Sequence, residues 1–94
     1  MIIDLDVCRP EISMEQQIEK IREEVKEVEK ALVAFRLSRC NKDRAEILFE
    51  LLDVMNAAQT GIYSMFNDDE ISAGCQFVNA KNFVRGYLLA EEDE

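Results

Sequence analysis

Histidine is absent from this chain of 94 residues. That removes Ser-His and Cys-His nucleophilic machinery and most zinc enzymes. Any hydrolysis here must rely on carboxylates, a metal ion, or both. Cysteine is sparse: Cys8, Cys40 and Cys75 are odd in number and far apart, with no C-x-x-C pair. Neither a disulfide framework nor a zinc site is indicated, and reduced thiols in a cytoplasmic protein are the expectation. No apolar run approaches the length of a membrane span. No signal-peptide pattern opens the sequence, because Asp4 and Asp6 interrupt the first apolar residues. Glycine is scarce, Pro10 is the only proline, and repeats and Pro/Gly/Ser-rich linkers are missing. The length fits one domain and is too short for two independent cores.

Positive charge is also in short supply. Eleven basic side chains face 20 acidic ones, a formal net charge of −9. This argues against nonspecific binding to nucleic acid or to an anionic membrane. A small phosphorylated ligand is compatible if metal ions and local cations offset the field. Charges of both signs are interspersed, which reads as solvated helix faces rather than a disordered acidic polymer. The exception is Glu91-Glu92-Asp93-Glu94, predicted to be a mobile tail. The expected organisation is one helical domain over residues 1–90, with residues 1–12 as an extended N-terminal segment, followed by the acidic tail 91–94.

What the chain has in quantity is helical periodicity. Pro10 keeps Arg9 out of helical geometry. Ser13 and Gln16 form a capping box, with Glu15 in the first turn, where the helix dipole favours it. The first helix is predicted to run to about Leu37, with Met14, Ile18, Ile21, Val25, Val28, Leu32 and Phe35 as its apolar stripe. Residues 38–41 break it. Asn41 or Asp43 is the next N-cap, and Asp43 with Glu46 fits a capping box. The second helix is predicted from about Asp43 to Phe66, with Ile47, Leu48, Leu51, Met55, Ala58, Ile62 and Met65 as its stripe. Asn67 and Glu70 start a third, from Asp68 to Val84, and Gly86 follows as a stop. A short strand within residues 1–7 is the one competing signal. The fold class is therefore all-α, an antiparallel bundle of three main helices. A chain this small buries little of its surface, so completion of the bundle by oligomerisation is expected.

Two acidic clusters lie inside these helices. Glu23-Glu24-Val25-Lys26-Glu27 reads E-E-x-x-E, and Glu50-Leu51-Leu52-Asp53 reads E-x-x-D. Carboxylates three apart on a helix share a face. With Val25 at zero, Glu24 falls near about −100° and Glu27 near about −160°. With Leu51 at zero, Glu50 and Asp53 take the matching places. Both pairs thus sit on the shoulder of the apolar stripe, beside the small residues Ala31, Ala57 and Gly61. Crowded carboxylates repel, so the arrangement makes sense if a hard cation sits between them. Glu23 points further toward solvent, as an outer acid or a base reached through water. Glu46 shares a flank with Glu50. A solvated Glu/Lys-rich face is the competing reading, and position alone leaves both open.

The order E-E-x-x-E, a gap of one helix connection, then E-x-x-D resembles the MazG-like all-α nucleoside triphosphate pyrophosphohydrolases. That superfamily includes dimeric dUTPases, dCTP pyrophosphatases and phosphoribosyl-ATP pyrophosphatases. The resemblance covers nearly the whole chain and is closest to the small phage- and firmicute-type proteins. Residues 12–18 are similar to that group's opening into the first helix, and Glu50-Leu51-Leu52-Asp53-Val54 to its second acidic motif. Asn79-Ala80-Lys81 followed by Arg85-Gly86-Tyr87 is similar to its C-terminal signature. That signature commonly opens with a histidine where this chain has Val78.

The resemblance implies a four-helix-bundle arrangement reached by homodimers or homotetramers. It implies Mg²⁺, with Mn²⁺ as a substitute, held by Glu24, Glu27, Glu50 and Asp53. It assigns Glu23 and Glu24 to catalysis, with Glu23 orienting or deprotonating the attacking water. It assigns Lys81 and Arg85 to the phosphates, and Asn79 or Asn56 to sugar or base. Tyr87 and Phe83 are candidates for stacking on a base, with core packing as the alternative. The implied reaction converts (d)NTP and water to (d)NMP and pyrophosphate, in nucleotide-pool house-cleaning. The rival readings are a helical interaction module without chemistry and a homologue that binds nucleotide or metal as a sensor.

Overall fold

The computed structural model describes residues 2–86. Residues 2–12 form an irregular strap, without the short strand. Three helices follow: α1 (Met14–Ser38), α2 (Asn41–Met65) and α3 (Asp68–Val84). The fold is all-α, and no strand occurs among the described residues. Among them, no helix is long and apolar enough to cross a membrane. Tyr87 and the acidic tail lie outside the described residues.

The caps explain the boundaries. The Ser13 hydroxyl accepts from the Gln16 N–H (3.1 Å), and the Gln16 side chain accepts from the Ser13 N–H (2.9 Å). Asn67 and Glu70 repeat this reciprocal arrangement at the start of α3. Both pairs satisfy N–H groups that have no partner within the helix. The start of α2 differs from expectation. Its N-cap is Cys40, which makes no side-chain cap. The Asp43 carboxylate instead accepts from the Ser38 hydroxyl. That bond, with Cys40, holds the Asp43 carboxyl below the usual range. Asp43 thus ties the end of α1 to the start of α2, so it cannot cap α2. Arg39 takes the left-handed conformation (φ 57°) as the C-cap of α1, and its N–H bonds to the Phe35 carbonyl at 2.7 Å.

The tight link makes α1 and α2 an antiparallel hairpin, packed along its length. Its seam is made of small and polar residues. Gln17, Ala57, Thr60 and Gly61 are the buried positions of the two helices. The Gln17 amide donates to the Ala57 carbonyl at 2.7 Å. A Cβ built on Gly61 would lie 3.4 Å from Gln17 Cγ and 3.9 Å from Met14 Sδ, so the helices approach closely here. Gln17→Ala should lower stability by about 1–2 kcal/mol, because a buried hydrogen bond is lost and a gap opens. Urea unfolding measures this directly.

The expected bundle of three helices does not form within one chain. α3 barely packs against the hairpin. The radius of gyration is 15.9 Å, against about 12 Å for a compact domain of this length. The reason lies in the pattern of α3. Ile71, Gly74, Cys75 and Val78 share one face and, with Ile62 and Phe66, line an apolar groove of about 510 Å³. Phe77, Phe83 and Val84 point elsewhere and are exposed. The predicted stripes of α1 and α2 are also half-open. Ile18, Val25, Leu32, Leu48, Leu51, Met55 and Ile62 are all exposed, and no large side chain among the described residues is fully buried.

Candidate metal centre and cleft

The register of the hairpin brings the acids together. Gln17 fixes α1 opposite Ala57. About two turns further along α1, and two turns back along α2, Glu24 meets Glu50 and Asp53. One carboxylate oxygen from each of these three lies within 4.8 Å of the others. Two Mg–O bonds end to end span about 4.2 Å, so a small side-chain rotation would close the trio on a hard cation. The donor set, carboxylate oxygens alone, suits a hard divalent cation such as Mg²⁺, Ca²⁺ or Mn²⁺.

The electrostatics record the crowding. Partial burial pushes the Glu50 carboxyl up from its ordinary value, and the charges of Asp53, Glu27, Glu24 and Glu46 push it further. Glu24 is the most sheltered of the paired acids, its side chain 15% exposed. Its Oε1 is 2.8 Å from the Lys20 ammonium. Hydrogen bonding and charge from Glu24, with Glu23 and Asp53 behind it, raise the Lys20 pKa.

Glu27 is outside the trio. Its Oε1 pairs with Lys30 at 3.2 Å on the outer surface. It still contributes to the field at Glu50. Glu23 lies on the rim of the cleft beside Lys20.

Two of the trio, Glu24 and Asp53, line a cleft of about 670 Å³, and Glu50 stands behind them, outside its wall. Glu23, Glu24, Lys20 and Asp53 line one end, and Gln16, Gln17, Ala57 and Thr60 another part of its wall. Cys8, Pro10 and Ile12 of the strap supply a further wall. The strap is hooked to α2. Gln59 Nε2 donates to the carbonyls of Leu5 (2.9 Å) and Asp6 (3.3 Å). The Arg9 guanidinium stacks 5.8 Å from the centre of the Tyr63 ring. Asn56 Nδ2 lies 3.7 Å from Cys8 Sγ.

Asn56 sits in the cleft wall, about one turn from Asp53. Its Oδ1 is sealed from solvent and has no hydrogen-bond partner. Such an acceptor is costly to leave unpaired, and a donor that reached it would relieve the cost.

The α3 candidates are not brought to this cleft. Asn79 and Val78 line the apolar groove instead. Lys81 is exposed in the last turn of α3, and Arg85 is its exposed C-cap. Two features of the cleft escaped the sequence reading. Lys20 was signalled by its position one turn before Glu24. The strap wall of Cys8, Pro10 and Ile12 had no signal, because an irregular segment carries no periodicity to read.

Comparison with family models, curated proteins and solved structures gave no match.

Proposed function

We propose that the chain is a Mg²⁺-dependent nucleoside triphosphate pyrophosphohydrolase, similar in design to the MazG-like all-α enzymes. The observation that carries this reading is the meeting of Glu24, from E-E-x-x-E, with Glu50 and Asp53, from E-x-x-D. Motifs that merely solvated two helices would have no need to converge across a seam. Glu24, Glu50 and Asp53 hold the ion, and Glu27 is the fourth candidate once it releases Lys30. Bound there, Mg²⁺ (or Mn²⁺) supplies Lewis-acid polarisation of the α-phosphoryl group and charge for the leaving pyrophosphate.

This chain's own residues do the rest. Glu23, on the rim, orients the water and takes its proton. The water oxygen bonds to the α-phosphorus, the bond to the bridging oxygen breaks, and pyrophosphate leaves with those electrons. No covalent intermediate is needed, in keeping with the absence of histidine. Asn56, in the cleft wall, contacts the sugar or base once its side chain turns the sealed Oδ1 toward the cleft. Asn79, Lys81 and Arg85 lie on α3, away from the cleft of their own chain, so their substrate roles call for a second copy. A homodimer or homotetramer is the proposed assembly.

The test is a panel of canonical and modified (d)NTPs with Mg²⁺, scored for products. Monophosphate with pyrophosphate is the expected result. Orthophosphate release would mean that a different bond is cut, and no turnover of any member would remove the enzyme reading. One observation favours a second reading, an interaction module: the half-open apolar stripes of α1 and α2. That reading expects no Mg²⁺-dependent shift in melting temperature.

A further inference from the structure

We propose that Lys20 is an exchangeable counter-ion, which caps Glu24 in the metal-free cleft and passes to the polyphosphate of the ligand when a divalent cation takes the carboxylates. The inference rests on the proposed function and assigns a phosphate-binding residue to the same site.

Lys20 is the only cation lining the cleft among the described residues. Its ammonium lies 2.8 Å from Oε1 of Glu24, which belongs to the converging trio. A cation bound by the trio therefore competes with this ammonium for the same carboxylate. The two partners differ in freedom. The Glu24 side chain is 15% exposed and that of Lys20 is 55% exposed. The acid is held in place, while the lysine reaches it from solvent on a flexible four-carbon stem.

The pairing is also in the weaker helical orientation. An acid placed four residues before a lysine supports a helix better than the reverse, and here Lys20 precedes Glu24. The outer pairs Glu19–Arg22 and Glu27–Lys30 put the acid first. Helix support is therefore the weaker account of Lys20, whose ammonium meets Glu24 at a cleft also lined by Glu23 and Asp53. The ligand supplies the remaining part of the argument. A triphosphate approaching this rim meets Glu23 and Asp53, and the metal neutralises only part of the combined charge. A released ammonium at the same rim is placed to contact the phosphate oxygens as a point charge.

The experiment is calorimetric titration of wild type, Lys20→Met and Lys20→Arg with two probes. The first is Mn²⁺ alone, and the second is inorganic tripolyphosphate in saturating Mg²⁺. Neither readout depends on turnover or on the identity of the base. In Lys20→Met, Mn²⁺ should bind about 2- to 5-fold tighter, because its competitor is gone. Tripolyphosphate should bind about 10- to 100-fold more weakly, because a charge-assisted contact is lost. Lys20→Arg should recover most of the tripolyphosphate affinity. Helicity by circular dichroism should be unchanged in both variants. Opposite changes in the two affinities are the signature of exchange. Unchanged affinities, or changes in the same direction, would overturn the role of Lys20 while leaving the metal centre standing. Failure of the wild type to bind Mn²⁺ would overturn the metal centre and the role of Lys20 together.

Discussion

Glu50→Gln should stabilise the metal-free protein and abolish its turnover. The two effects share one cause. Glu50 is half-buried, and that burial first, then the like charges of Asp53, Glu27, Glu24 and Glu46, raise its pKa above the ordinary 4.5. An acid whose pKa is raised on folding holds its proton more tightly in the folded state. As pH rises from 4.5 through the folded value, stability is therefore lost, and above that value the full cost remains. Below 4.5 the cost is absent, because both states are protonated. Glutamine removes the charge and keeps the shape. The melting temperature at pH 7 without divalent ions should rise, and its pH dependence above 4.5 should flatten. The Mg²⁺-dependent stabilisation expected of the wild type should vanish. Turnover should fall by more than about 100-fold, beyond what loss of an outer-shell partner costs. Thermal scans at several pH values, with and without Mg²⁺, read the stability effects, and pyrophosphate release reads the chemistry. A lower melting temperature in the metal-free variant would refute the crowding argument. Wild-type turnover in the variant would end the metal assignment.

Association provides the second large effect. The hairpin has no fully buried large side chain, and Leu51, Met55 and Ile62 of α2 are 43–47% exposed. Ile18 and Val25 of α1 are open to a similar degree. Side chains half-covered by one partner helix offer their remaining area to a second copy. Light scattering at micromolar concentration should therefore find a dimer or tetramer, and a monomer would contradict the proposed assembly. Leu51→Glu should weaken association by about 100-fold or more, because a charge would be placed in the middle of the apolar stripe. Since the single chain has so little core, the melting temperature should also become dependent on protein concentration. Leu51→Glu retaining the wild-type mass and melting temperature would show that this stripe is not the contact surface.

Local chemistry was legible in the sequence where it is carried by residues close together. The reciprocal caps Ser13/Gln16 and Asn67/Glu70 gave the starts of α1 and α3. The start of α2 differs from the expected cap because Asp43 has a stronger partner in Ser38, across a chain reversal whose geometry the sequence does not state. The convergence of the acids was legible in outline, since one turn angle applied to both helices put Glu24, Glu50 and Asp53 on matching shoulders. The separate fate of Glu27 was not. It shares the motif spacing, but on the helix surface its nearest cation is Lys30.

By itself, the sequence determined the helices, their caps, the absence of histidine chemistry and the flank on which each acid stands. These depend on backbone propensity and on 3.6 residues per turn, which act within a few neighbours. Tertiary structure decided which carboxylates share a space, that Lys20 guards one of them, that the strap walls the cleft, and that α3 stands away from it. Those outcomes depend on register. The register is set where Gln17 crosses to Ala57 beside Gly61, a contact between residues far apart in the chain that no local pattern encodes.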